Sequence, residues 1–233
     1  MITDWTFYLA AVPAVILMGL SKGGFAGVSL LSMPLLTLVI PPIQGAAIVL
    51  PILMVQDVVS VWAFRKDFDR RNLGILLAGA MIGIVLSAIF AVKVSNTFVT
   101  LLVGTIAVGF VLVWWFKDRK ADGPPRTPGV APGVFWGAMA GFTSFFANAG
   151  APPFQVYVMP QKLPPQTFAG TATMFFATIN LVKFFAFIVI GQVSAGNLST
   201  SVVLFPVAIA STLAGVWLVR RVSAKNFYSL IYG

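Results

Sequence analysis

A lone lysine lies inside one of the most apolar stretches of this chain, in GLSKGGFAG, Gly19 to Gly27. Ser21 precedes it and the pair Gly23-Gly24 follows, and glycines at such a point loosen a helix and free its backbone amides. A full positive charge, a hydroxyl and released N–H groups together suit an anion. The plainer alternative is that Lys22 reaches from a helix end toward water while Gly23-x-x-x-Gly27 permits close helix packing. A second interruption, FFANAGAPP, places Asn148, Ala149 and Gly150 ahead of Pro152-Pro153. The prolines withhold amides, which leaves the Asn148 side chain and the amides of 149 to 151 as donors. An interhelical hydrogen bond from Asn148 is the alternative there.

Asp57 stands alone as an acid within a long apolar helix, at an apparent cost of about 2.5–3.5 kcal/mol near a bilayer centre. Such a charge marks function or a partner. Gln56 beside it and Asn180 further on extend the polar set of a substrate site, and Lys183 follows Asn180 by one helical turn. Coupling or charge balance falls to Asp57 and Lys183. Asp57 balances Lys22 in an empty pocket, or pairs with Lys183, or takes part in proton or sodium coupling, while Lys183 otherwise snorkels to the interface.

The missing residue types exclude a good deal. There is no cysteine and no histidine, and all six acids are aspartates. Thiolate and imidazole chemistry, soft-metal ligation and disulfides are therefore out of reach, and neither a cofactor nor a metal is expected. A Ser21-Lys22 dyad would point adjacent side chains in different directions on a helix, so enzymatic activity is not expected either.

These residues need elements to hold them. The chain of 233 residues is 59% hydrophobic and 9% charged, against about 25% charged in soluble domains, and so reads as an all-α polytopic membrane protein. Apolar segments at 43 to 64, 73 to 92, 97 to 116, 166 to 190 and 199 to 219 are each long enough to span once. Regions 5 to 40 and 133 to 163 are too long for one helix and are broken by SKGG and NAGAPP. Each should form two short helices of about 14–16 residues that enter and return. The N-terminus has no basic flank and carries Asp4, unlike a cleaved signal peptide. The last apolar stretch, from Val222 to Gly233, covers roughly 18 Å and is too short to cross.

Both halves follow one order: a broken region, Pro-Pro, then long helices. Aligning Pro41-Pro42 with Pro164-Pro165 sets Ala46 over Ala169 and Asp57 over Asn180. The loop RKDFDRRN at 65 to 72 holds four basic residues and its counterpart GQVSAGNL at 191 to 198 holds none. In the next pair the bias reverses, since Lys93 stands alone whereas Arg220, Arg221 and Lys225 cluster. Basic loops stay on the cytoplasmic side. The two halves, 1–116 and 133–233, are therefore inverted-topology repeats, joined by a basic cytoplasmic linker at 117–132, with both termini periplasmic. The net charge of +9 reflects this topology, and no nucleic-acid partner is expected.

GLSKGGFAGVSLLSMPLL, IPPIQGAAIVLP and QDVVSVWAFR resemble the first repeat of the sulfite exporter TauE/SafE family of bacterial permeases. LPPQTFAGTATMFFATINLVK, with the Gly-Phe at 141, resembles the second. The resemblance covers nearly the whole chain, although the second break lacks the glycine-rich run often seen there. It implies transport of a small sulfur-containing anion, sulfite or an organosulfonate such as sulfoacetate, across the bacterial inner membrane. Export fits best, with a small anion and the lipid bilayer as partners and alternating access about a midplane site as the mechanism. The alternatives are a metal-cation permease and a membrane assembly factor. The sequence leaves the oligomeric state open.

Overall fold

The computed structural model describes residues 2–23, 29, 31–91, 128–189, 191 and 194–222, with a few isolated positions between 95 and 112. The last stretch from 223, most of the linker and Gly24 lie outside the described residues. Among those described, the secondary structure is helical throughout: α1 (Trp5–Ser21), α2 (Ser32–Thr37), α3 (Pro42–Phe64), α4 (Arg70–Ala91), α5 (Val130–Ala147), α6 (Ala151–Val158), α7 (Pro165–Val189) and α8 (Ala195–Arg221). Helices α3, α4, α7 and α8 are long and apolar enough to cross a membrane. Helix α5 begins at Val130, three residues inside the span assigned above to the linker.

Both broken regions are broken where expected, but unequally. Each is a long helix followed by a stub, with 17 residues then six in the first half and 18 then eight in the second. The expected pairs of similar short helices do not form, because nothing interrupts the apolar run before Ser21 or Ala147. Pro13 is accommodated inside α1. The stubs are short because prolines follow closely. Pro160 tightens the end of α6 into a 3-10 turn, Met159–Gln161, and Pro41-Pro42 follows α2.

Contacts between helix ends set the directions. Ile2 N donates to Thr200 Oγ1, and Ser201 Oγ donates to Ile48 O, so α1, α3 and α8 start at one end of the bundle. At the other end Arg220 reaches Ala63 O, Asp69 N donates to Thr171 Oγ1, and the Asn72 and Gln161 amides bond reciprocally at 2.9 and 3.0 Å. This end gathers the close of α3, the start of α4, the turn after α6, the start of α7 and the close of α8. Arg65, Lys66, Arg70, Arg71, Arg220 and Arg221 lie here. Arg65 and Arg221 lie over Trp62 and Trp217 at 5.2 and 4.4 Å, an arrangement of amphipathic rings and cations suited to a membrane interface.

Helix α4 packs most extensively on α5, and α1 on α8. The α4–α5 contact is a backbone contact made by two Gly-x-x-x-Gly steps. A Cβ on Gly79 would lie 2.0 Å from Val134 O, one on Gly83 2.1 Å from Ala138 O, and those on Gly137 and Gly141 2.3 and 2.4 Å from Leu76 O and Ala80 O. In an apolar solvent no hydrophobic force drives helices together, so close approach and dispersion must do so. The register pairs 79 with 134, 83 with 138 and Ser87 with Phe142, so these two helices run parallel. Helix α5 therefore starts at the basic end, and the turn after α6 returns to it.

Candidate functional site

Helices α3 and α7 cross at the centre of the molecule, and their polar residues meet there. Asn180 Nδ2 donates to Asp57 Oδ2 at 2.7 Å, joining the two positions that the proline alignment places over one another. Lys22, just past the end of α1, pairs with the other carboxylate oxygen at 2.5 Å, with side chains 9% and 6% exposed. Lys183 is 1% exposed. It donates to Asn148 Oδ1 at 2.6 Å, Ser144 Oγ at 3.2 Å and Asn180 Oδ1 at 3.4 Å. Three oxygens thus face an ammonium that has three N–H groups. The expected snorkelling of Lys183 does not occur, because its acceptors lie inward, on α5 and α7. No direct bond joins it to Asp57; Asn180 stands between them and serves both.

The result is one connected chain, Lys22, Asp57, Asn180, Lys183, Asn148, carrying two cations and one carboxylate. Beside it lies a cavity of about 60 Å³. By a measure in which one water needs about 10–15 Å³, that is room for a few waters or one small anion. Its polar lining comes from Ser21, Lys22, Ser29, Ser144, Asn148, Thr173 and Asn180; Met18, Leu53 and Phe176 are among its apolar walls. Asn148 Nδ2 and Thr173 Oγ1 are buried and have no hydrogen-bond partner among the described residues. Buried donors left unpaired are expensive, at about 1–3 kcal/mol each. A ligand that accepts hydrogen bonds would satisfy both.

Local structure explains how the break presents these groups. Asn148 ends α5 in the left-handed region, φ 50 and ψ 25, which asparagine tolerates better than most residues. Thr143 stabilises the turn from both sides: its hydroxyl donates to Ala149 O at 2.9 Å and its carbonyl accepts from Ala149 N at 3.4 Å. Pro152 and Pro153 fall in the first turn of α6, where no intrahelical N–H bond is lost.

Backbone amides contribute less than the sequence reading expects. Gly23 N donates to Leu20 O, Lys22 N to Gly19 O and Ala149 N to Thr143 O, so these three are spent closing helix ends rather than released. Gly24 is outside the described residues. Gly23, Ala149 and Gly150 do not line the cavity, nor does Gln56, which ties α3 to α1 through Val15 O at 3.2 Å. Ser21, Lys22, Asn148 and Asn180 do line it. Ser29, Ser144 and Thr173 were missed. Ser144 was legible, since it lies at the same offset from Ser21 as Asn180 from Asp57, whereas Thr173 is one of several threonines on α7 and carries no signal of its own.

The family model described as sulfite exporter TauE/SafE matches residues 11–233. The chain belongs to that family. No curated protein and no solved structure matches it. This TauE/SafE protein is therefore a multi-pass membrane protein of a transporter family, and the central cavity is the place to ask what it carries.

Proposed function

We propose that this TauE/SafE protein is a secondary transporter for a small sulfur-containing anion, sulfite or an organosulfonate, with the cavity at Lys22, Asn148, Thr173 and Asn180 as its binding site. The observation that carries the reading is a largely buried lysine, with two buried donors that have no partner among the described residues, at a polar-lined cavity among apolar helices. Asp57 holds Lys22 while the site is empty, and the incoming oxyanion replaces it as the acceptor.

The two halves are inverted repeats that exchange access to the site. Support comes from the contact pattern, which maps onto itself when the halves are swapped: α4 on α5 corresponds to α8 on α1, α3 on α8 to α7 on α4, and α3 and α7 meet each other at the centre. The broken pairs support it too. One starts at the basic end and returns there, while α1 starts at the opposite end, where α3 also begins. With the basic end cytoplasmic, the N-terminus is periplasmic. Export across the inner membrane is favoured by about 2.3 kcal/mol per charge at roughly 100 mV, negative inside.

The test is release of radiolabelled sulfite from proteoliposomes under a set membrane potential. Release above that of protein-free liposomes, lost on Lys22→Gln, supports the proposal. Equal release from both liposome preparations overturns it.

A further inference from the structure

The buried cluster at the cavity is not electrically balanced. Lys22 and Lys183 bring two positive charges, Asp57 brings one negative charge, and Asn180, Asn148 and Ser144 are neutral. Among the described residues, no further ionisable group bonds to this chain. Charges in a dry interior are not screened as in water, and a net charge there is best compensated by an opposite charge of the same size.

We infer that the site selects its substrate by charge as well as shape: it favours a monoanion, such as hydrogen sulfite or a simple alkylsulfonate, over dianions such as sulfate, and so also over sulfoacetate, the carboxylated sulfonate that the family resemblance implies. A monoanion brings the cluster to neutrality, and a dianion leaves one uncompensated negative charge next to the Asp57 carboxylate. Asp57 and Lys183 are then specificity-determining residues. Lys183 acts without touching the substrate, from behind Asn180 and Asn148, by fixing the charge of the whole. The two asparagines make this arrangement possible: each turns its oxygen toward Lys183, and Asn180 gives its NH₂ to Asp57 while that of Asn148, a residue of the cavity lining, has no partner among the described residues.

This inference rests on the anion-site reading above, and the experiment separates the two. Methanesulfonate and sulfate are a near-isosteric pair, tetrahedral about sulfur, that differ by one charge. Calorimetric titration of each into the wild-type protein, Asp57→Asn, Lys183→Gln and the double variant, all in one detergent, gives a ratio of affinities for each protein. Because each ratio is read on a single preparation, partial unfolding lowers both affinities and leaves the ratio unchanged. The wild type should favour methanesulfonate. Asp57→Asn, with a second net positive charge, should move the ratio toward sulfate by on the order of tenfold. Lys183→Gln, with no net charge, should weaken both anions and sulfate more. The double variant again carries a single positive charge and should return to the wild-type preference. A wild type that binds sulfate better, or a ratio that does not move in either single variant, overturns the charge selection. A wild type that binds neither anion overturns the anion site itself.

Discussion

Lys22→Gln removes the charge while keeping a hydrogen-bonding group on a slightly shorter side chain, and under the proposed site it should act on folding and binding together. The Lys22–Asp57 pair is 9% and 6% exposed, so it counts as buried, and loss of one partner of such a pair costs about 3–5 kcal/mol because the other charge is stranded. Asn180 Nδ2 still holds Asp57 Oδ2 at 2.7 Å, which places the expected loss at the lower end, about 3 kcal/mol. For binding, a charge-assisted hydrogen bond contributes about 1.5–3 kcal/mol. Asp57 pairs with Lys22 and an anion must compete with it, so the lower figure applies, a loss of about tenfold in affinity. Thermal unfolding and calorimetry with methanesulfonate on the same samples separate the two effects. Adding Asp57→Asn to Lys22→Gln should recover part of the stability, since the Asp57 carboxylate is no longer stranded, while Lys183 stays as the one charge of the cluster. Affinity should stay below wild type, since the positive charge at the cavity wall is still missing. Lys162→Gln, at an exposed turn before Pro164, is the control and should change affinity by less than about twofold. Lys22→Gln and Lys162→Gln with equally small effects would refute the reasoning, and Lys22 would then be a structural partner of Asp57 only.

Thr173→Val should weaken anion binding by about 0.5–1.5 kcal/mol while leaving stability unchanged or raised, because the Thr173 hydroxyl has no partner among the described residues; paired calorimetry and melting curves check it, and a stability loss without a binding loss would count against a ligand role. Gly137→Ala should lower thermal stability by about 1–3 kcal/mol, since its Cβ would lie 2.3 Å from the backbone oxygen of Leu76 and must push α4 and α5 apart. Gly170→Ala should do the same at the basic end, where the added carbon meets Asp67 O; by contrast Gly74→Ala, which meets nothing within 4 Å, should be neutral or slightly stabilising in the same melts.

The sequence alone determined the class of protein, the two broken regions and the isolated polar residues within the apolar runs. Each of these is local: apolar runs of spanning length, helix breakers and isolated charges declare themselves because a membrane tolerates so few of them. Lys22, Asp57, Asn148, Asn180 and Lys183 stand out for that reason. Their pairing was not legible. Asp57 had two lysines to choose from, and the choice depended on how α3 and α7 cross and on where α1 ends, which the packing of α1 on α8 and of α4 on α5 sets. The fate of the amides was likewise tertiary in origin. Glycines at 23 and 24 permit release, but Gly23 N closes α1 onto Leu20 O, because a buried donor takes the nearest acceptor. The same accounting leaves Asn148 Nδ2 and Thr173 Oγ1 unpaired. Whether a side-chain donor in a buried region finds a partner is decided by the whole set of neighbours, and those neighbours come from helices up to 196 residues apart in the chain.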